Sequence, residues 1–153
     1  MKKLLGIILV LFIIIAGCAT TKVDPGGHLG GYIKFATLAK KESTPVVIDY
    51  ECDSACIILL SSGDGLRISK DAKFGVHEVR FVVPGRDYLD PSSKRCNSCT
   101  EYEKTLVPEC AVRLFESKNG WGSPKLTYFS GEEVLKACPQ IQEYIKKNEK
   151  TKR

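Results

Sequence analysis

The chain lacks most of the features from which composition alone assigns a function. Its 153 residues include only two histidines, and no basic patch interleaved with aromatic residues points to nucleic acid. No internal repeat, low-complexity linker or second-domain boundary is visible. No apolar run comfortably reaches the roughly 20 residues that a membrane-spanning helix needs. These absences argue against nucleic-acid binding, repeat folds and a membrane-embedded body.

The N-terminus carries the pattern of an export signal. Two lysines at positions 2–3 precede an apolar stretch over residues 4–15, and small residues then lead into Cys18. A charged start, a short hydrophobic stretch and small residues at the cut outline a secretory signal peptide. The ending Ile-Ala-Gly-Cys resembles the lipobox of bacterial lipoproteins, which implies cleavage before Cys18 and attachment of fatty acyl chains to it. The alternative is an uncleaved anchor with an incidental cysteine.

The predicted export signal sets the location and the domain division. By the same resemblance, Ala19 after the lipidated cysteine implies transfer to the outer membrane, facing the periplasm, where the host has one. We expect a signal peptide at 1–17, a linker or short strand at 18–23, one domain at 24–145 and a basic tail at 146–153. The 136 residues left after cleavage suffice for one core and not for two. The basic tail predicts a solvated helix end.

Alternating apolar patterns predict an α/β fold. The residues Ser130-Gly131-Glu132-Glu133 have the composition of a capping box that begins a helix ending at Ala137. The other predicted elements are strands at Thr20–Val23, Pro45–Tyr50, Leu66–Ser69, Lys73–His77, Val79–Val83 and Leu126–Phe129, helices at 29–41, Ser54–Ser62 and Thr100–Lys118 (interrupted near Pro108), and a loop at Pro84–Ser98.

Three short motifs carry the chemistry: Asp24-Pro25-Gly26-Gly27, Cys52-Asp53-Ser54-Ala55-Cys56 and Phe74-Gly75-Val76-His77. A glycine pair can offer bare backbone N–H groups to an oxyanion. A serine that opens a helix exposes its Oγ at the positive end of the helix dipole. A histidine at the end of a strand can accept the proton of that serine. Together they supply the parts of a serine hydrolase site.

Each motif alone has a simpler interpretation. A Pro-Gly-Gly triplet is most often a turn, a serine before an apolar helix is most often an N-cap, and a histidine after an apolar run is most often structural. His28, the only other histidine, is predicted to be an exposed residue in a loop or at a helix start. The hydrolase interpretation depends on order and spacing, because Ser54 stands 28 positions after Gly26 and His77 stands 23 after Ser54.

In this order and spacing, the motifs resemble the proteolytic subunit of the Clp protease (ClpP). They resemble more closely the extracytoplasmic ClpP/crotonase-like proteins with a Cys-x-Ser-Ala-Cys elbow, from about Asp24 to about Pro139. The resemblance implies an α/β fold of the ClpP/crotonase type and hydrolysis of a peptide bond. Ser54 would be the nucleophile and His77 the base. No cofactor and no coenzyme A site are implied.

The resemblance also implies an oxyanion hole and a third catalytic residue. The hole would be formed by the N–H of Ala55 and that of Gly26 or Gly27. The family places an aspartate just before its final strand–Ser–helix segment, but this chain has no aspartate after Asp90. The carboxylates that could replace it, if the fold brings one near His77, are Asp87, Asp90, Glu78 and Glu116.

A second departure lies upstream of the glycine pair. Only residues 19–23 separate Cys18 from Asp24, where the family has a strand, a helix and another strand. The domain is therefore expected to be truncated at its N-terminal edge, with an exposed sheet edge or a partner that covers it. A ClpP-type heptamer is not expected. The alternative function is a non-catalytic lipoprotein that uses a degenerate ClpP-like fold for binding or assembly.

Six cysteines follow Cys18, and an even number in an exported chain predicts disulfides. They are Cys52, Cys56, Cys96, Cys99, Cys110 and Cys138. A bridge between the first two would staple the turn around the serine, although both could instead be small buried apolar residues. We also expect a bridge between Cys110 and Cys138.

Two other roles for the later cysteines remain open but are disfavoured. The last four could form a Cys₄ zinc site, against which the oxidising location and the uneven spacing argue, and we predict no metal. Cys96-Asn-Ser-Cys99 could be a thioredoxin-like redox motif, but no predicted strand leads into it.

Overall fold

The computed structural model describes residues 23–81, 90 and 92–145 and has mixed α/β architecture, as predicted. Its strands are β1 (Val23–Asp24), β2 (Val46–Ile48), β3 (Glu51–Asp53), β4 (Leu66–Ile68), β5 (Lys73–Val76), β6 (Arg80–Phe81), β7 (Lys94–Arg95), β8 (Thr127–Ser130) and β9 (Gln142–Glu143). Its α-helices are α1 (Leu29–Glu42), α2 (Asn97–Thr105), α3 (Glu109–Ser117) and α4 (Gly131–Ala137), and its 3₁₀ helices are η1 (Ser54–Ser61) and η2 (Gly120–Gly122).

The strands form two small sheets and a ribbon. The first sheet has the order β1-β3-β5-β8, in which β1, β3 and β5 are parallel and β8 is antiparallel to β5. The second has the order β2-β4-β9 and is parallel throughout, and β6 pairs with β7 as an antiparallel ribbon. Because the carboxyl ends of parallel strands meet at one edge, the residues that follow β1, β3 and β5 lie side by side.

The core is built around η1. Every residue from Ala55 to Leu60 is at most 5 % exposed, as expected from a segment that is apolar on all sides. The helix α1 packs against η1 and buries Ala36 and Ala39 there. Burying one side chain of the size of Ile or Leu stabilises the fold by about 1.5–3 kcal/mol. The buried side chains of η1 therefore fix the position of the segment that begins at Ser54.

Local signals placed several elements correctly. Pro108 separates α2 from α3 and serves as the N-cap residue of α3, because its ring cannot continue a helix. The capping box at Ser130 is confirmed, since its Oγ accepts from the Glu133 N–H at 3.2 Å and the Glu133 carboxylate accepts from the Ser130 N–H at 2.8 Å.

Other elements differ from the prediction. The helix predicted at Ser54–Ser62 is a 3₁₀ helix, and it ends one residue earlier, at Ser61. The stretch predicted as a loop at Pro84–Ser98 contains β7 and the start of α2, and β9 was not predicted. These strands are two residues long and polar, so pairing with a neighbour defines them, and no apolar alternation marks them in the sequence.

The N-terminal edge of the first sheet is β1, where Val23 is 44 % exposed. The predicted strand at Thr20–Val23 lies largely outside the described residues, as do the signal peptide, Cys18 and the basic tail. Within residues 23–81, 90 and 92–145, no helix combines the length and the apolar character needed to cross a membrane.

Candidate active site

Ser54 lies on a strained turn between β3 and η1. Its backbone φ is +55°, a left-handed conformation that residues other than glycine rarely adopt. Asp53 occupies the N-cap position of η1 and makes no side-chain capping bond, so Ser54 is the first helical residue and not the cap. Backbone strain of this kind costs about 1–3 kcal/mol and concentrates at functional sites, including the strand-to-helix turns that expose nucleophilic serines.

Gly26 packs directly against this turn. Since β1 pairs with β3, Gly26 follows its strand at the same edge as Ser54. A Cβ at Gly26 would overlap the Asp53 carbonyl oxygen and would lie 2.7 Å from the Ser54 Cβ. Gly26 also has a φ of +76°. Only glycine fits here for both reasons. The predicted glycine pair and the predicted nucleophile are therefore neighbours.

The geometry narrows the choice of oxyanion donors. The Gly26 N–H donates to Asp24 Oδ1 at 3.0 Å, an Asx turn, and the Tyr32 hydroxyl donates to the same oxygen. The Gly26 N–H is therefore engaged in the structure, which goes against its use as the donor. Gly27 and Ala55 are the remaining candidates from the sequence.

His77 follows β5, whose Gly75 is the register partner of Asp53. Its Nδ1 lies 2.7 Å from the Glu78 carbonyl oxygen. A carbonyl oxygen can only accept, so Nδ1 carries the hydrogen and Nε2 keeps its lone pair. Burial lowers the pKa of His77 from its ordinary value. A lowered pKa favours the neutral imidazole, and in that form, with the hydrogen on Nδ1, Nε2 is the nitrogen that can accept a proton.

Ser54 and His77 are not hydrogen-bonded to each other within the described part of the chain. They are close by strand register, but their direct contact stays a prediction. His28, the rival base, is exposed at the N-cap of α1, as expected.

Of the four carboxylates proposed from the sequence, Glu78 acts on His77 through its charge, which raises the pKa of the ring against the larger lowering effect of burial. Glu78 also reaches the ring through its backbone carbonyl, while its buried carboxylate pairs with Arg80 and Arg95. Glu116 pairs with Lys104, Asp90 accepts from the Ser92 N–H, and Asp87 lies outside the described residues.

The sequence interpretation missed Asp53, the residue before the candidate nucleophile. Its side chain is buried, and within the described residues Oδ1 has no hydrogen-bond partner. A Cβ at Gly75 would overlap this oxygen, so the glycine makes room for the carboxyl group. Burial, followed by the nearby Glu51, raises the pKa of Asp53 to about 6. Asp53 and Gly75 are register partners and share one face of the sheet, and His77 follows the end of β5. The sequence offers no local signal for this, because Gly75 lies opposite Asp53 only through the pairing of β3 with β5.

The structure pairs all six described cysteines as disulfides. Cys52–Cys56 encloses Ser54, and Cys110–Cys138 is confirmed as predicted. The third pair is Cys96–Cys99. The zinc alternative is wrong for these residues, because their sulfurs are joined in pairs. Disulfides accord with an oxidising compartment outside the cytoplasm. Comparison of the chain with protein-family models, with curated proteins and with solved structures finds no match.

Proposed function

We propose that this chain is a ClpP-like serine hydrolase of the peptidase type, with Ser54 as nucleophile and His77 as base. The observation that carries the proposal is the left-handed backbone of Ser54 at the carboxyl end of β3. The parallel order β1-β3-β5 brings the glycine pair, the serine and the histidine to one edge of the sheet, in the order that the resemblance implies.

In the proposed reaction, Ser54 Oγ attacks the substrate carbonyl carbon while His77 Nε2 takes its proton. The N–H groups of Gly27 and Ala55 donate to the oxyanion that forms. His77 then gives the proton to the leaving amine, and the acyl group remains on Ser54. Water, activated by the same histidine, hydrolyses this ester and regenerates the serine.

The support behind His77 differs from that of an intact triad. The Glu78 carbonyl oxygen accepts from Nδ1, and the charge of the Glu78 carboxylate also raises the pKa of His77, against the larger effect of burial. That carboxylate is paired with Arg80 and Arg95, and Nδ1 donates to a carbonyl oxygen where an intact triad has a carboxylate. We therefore expect slow turnover, since losing the charge of the triad acid cost about 10⁴ in rate in a well-studied protease.

The proposal includes the cell envelope as location. The lipobox-like ending before Cys18 and the disulfides both favour an exported lipoprotein tethered to the membrane. A labelled fatty acid should be incorporated by the wild-type chain and not by Cys18→Ala. An unlabelled wild-type chain would contradict the tether without bearing on the hydrolase site.

A specific observation favours the alternative of a non-catalytic lipoprotein. Among the described residues, the Ser54 hydroxyl and the His77 ring are not hydrogen-bonded to each other. In this alternative, the turn around Ser54 has no catalytic role, and the degenerate ClpP-like fold serves binding or assembly.

Hydrolysis of a panel of activated esters and short peptides distinguishes the two. We expect slow hydrolysis by the wild type, and equal losses in Ser54→Ala and His77→Gln because the two residues act as a unit. Ser117→Ala is the matched control, since this exposed hydroxyl only bonds the Leu114 carbonyl. Activity that survives in Ser54→Ala would show that it arises elsewhere.

A further inference from the structure

The turn at residues 94–99, the corner, joins a strand to a helix at the motif Cys96-Asn-Ser-Cys99. Strand β7 ends at Arg95, the residue before Cys96, and α2 begins at Asn97. The objection that no strand leads into Cys96-Asn-Ser-Cys99 therefore fails. A disulfide at this place joins a strand end to the first turn of a nine-residue helix.

The two sulfurs of the corner lie in different surroundings. The Cys96 side chain is only 3 % exposed, whereas Cys99 is partly exposed. Cys96 Sγ accepts from the Cys99 N–H at 3.2 Å and lies 3.6 Å from the Ser98 hydroxyl. Cys96 is also the N-cap of α2, where the helix dipole favours negative charge. A thiolate would be stabilised on Cys96, and an incoming thiol would meet Cys99 first.

We propose that Cys96–Cys99 is a thiol–disulfide exchange site whose substrate is a dithiol, from a partner protein or a small molecule. One thiolate of the partner attacks Cys99 Sγ, the bond to Cys96 breaks, and the electron pair leaves on Cys96 Sγ. The second thiolate of the partner then attacks the mixed disulfide and releases Cys99. The partner is oxidised to a disulfide, and its two thiol protons end on Cys96 and Cys99. Exchange rates follow access and the stability of the leaving thiolate, and both favour this order of attack.

The other two disulfides are internal controls. Cys52 and Cys56 are both 0 % exposed, and Cys138 is likewise 0 % exposed while its partner Cys110 is partly exposed. Neither pair places a sulfur at the N-cap of a helix. The corner therefore differs from Cys52–Cys56 in exposure, and it differs from Cys110–Cys138, which also has one partly exposed sulfur, in the N-cap position and contacts of Cys96.

Timed reduction of the folded wild-type chain by dithiothreitol tests this. Aliquots are acid-quenched and alkylated, and the free thiols are located by mass spectrometry. We expect Cys96–Cys99 to open at least ten times faster than Cys110–Cys138, with the Cys52–Cys56 pair no faster than the latter. Opening of the corner at a rate within tenfold of Cys110–Cys138, or after it, would overturn the proposal.

A second arm tests the direction of attack. Among the described cysteines, Cys96→Ser leaves Cys99 as the free thiol and Cys99→Ser leaves Cys96 as the free thiol. Oxidised glutathione should form a mixed disulfide with Cys99 at least ten times faster than with Cys96. Equal rates, or faster reaction at Cys96, would overturn the assigned order of attack. Neither arm depends on hydrolase activity.

Discussion

Two strand-to-helix turns in this chain are closed by disulfides between cysteines three or four positions apart, and the two disulfides differ in exposure. The elbow, Cys52–Cys56, buries both sulfurs completely and holds Ser54 in a left-handed conformation. The corner leaves Cys99 partly exposed, and its disulfide joins a helix cap to the first turn. A disulfide therefore stabilises the left-handed backbone of Ser54 in one turn, and a disulfide stays accessible to thiols at Cys99 in the other.

The two turns are connected through the residues after His77. The Cys96 N–H donates to the Val79 carbonyl at 2.8 Å, and the Val79 N–H donates to Thr100 Oγ1 at 3.1 Å. Glu78, whose carbonyl bonds His77, also pairs with Arg95. The corner is therefore bonded to Glu78 and Val79, the two residues that follow the proposed base, His77.

The largest effect is expected from disturbing the elbow with Gly26→Ala. The new methyl would overlap the Asp53 carbonyl and occupy a strained backbone. We expect the rate of Ser54 labelling by a fluorophosphonate to fall about 100-fold, because small displacements of reacting groups cost that much. Denaturant unfolding should show a loss of roughly 2–4 kcal/mol.

Gly31→Ala is the matched control for this variant. Gly31 is an exposed glycine inside α1 with nothing within 4 Å of a new Cβ. It should raise stability by about 0.5–1 kcal/mol, since alanine favours a helix, and leave labelling unchanged. Equal effects of the two substitutions would show that Gly26 has no special packing role.

Removing each disulfide in turn sharpens the comparison on the stability scale. In the chain-entropy model, replacing Cys110 and Cys138 by alanine should cost about 3–4 kcal/mol, and closing either short loop is worth about 2 kcal/mol. The elbow pair should cost more than the corner pair, because its buried sulfurs would leave a cavity. Urea unfolding of the three double variants measures this, and a corner pair that costs more than the elbow pair would reverse the assignment.

Glu103→Gln tests the helix that begins at the corner. The Glu103 carboxyl accepts from Trp121 Nε1 at 2.8 Å, and burial raises its pKa from 4.5 to about 7. The folded state therefore binds this proton more tightly than the unfolded state does. The resulting contribution of Glu103 to folding stability is fully present below pH 4.5 and is lost as pH rises through 7. Glutamine keeps an acceptor for Trp121 without the charge. We expect the variant to be more stable than the wild type at pH 8, by roughly 2–3 kcal/mol, and equal stability at that pH would contradict this account.

The smallest expected effect is the pH dependence of labelling at the elbow. Burial favours the neutral imidazole of His77 and lowers its pKa from 6.5. The labelling rate should therefore rise with pH and reach half its plateau below pH 6.5, because only the neutral ring can accept the serine proton. A midpoint above that value would show that another group controls the reaction.

Local chemistry explains which parts of this structure could be predicted. The break at Pro108, the Ser130 cap and the Cys110–Cys138 pair depend on residue types and on segment order, which the sequence displays. Strand β7 and the burial of Asp53 depend on which strands pair, and no local pattern carries that information. The Asx turn that engages the Gly26 N–H was readable from Asp-Pro-Gly, but its competition with an oxyanion role appears only in the geometry.

The most direct measurement of the central claim is the position of a fluorophosphonate adduct on the folded wild-type chain. After labelling, the protein is reduced, digested with trypsin and mapped by mass spectrometry. The account predicts one adduct, on Ser54 in the peptide 42–67, present in Ser117→Ala and absent in Ser54→Ala. A folded wild-type chain without an adduct, or an adduct that persists in Ser54→Ala, would contradict the assignment of Ser54 as the nucleophile.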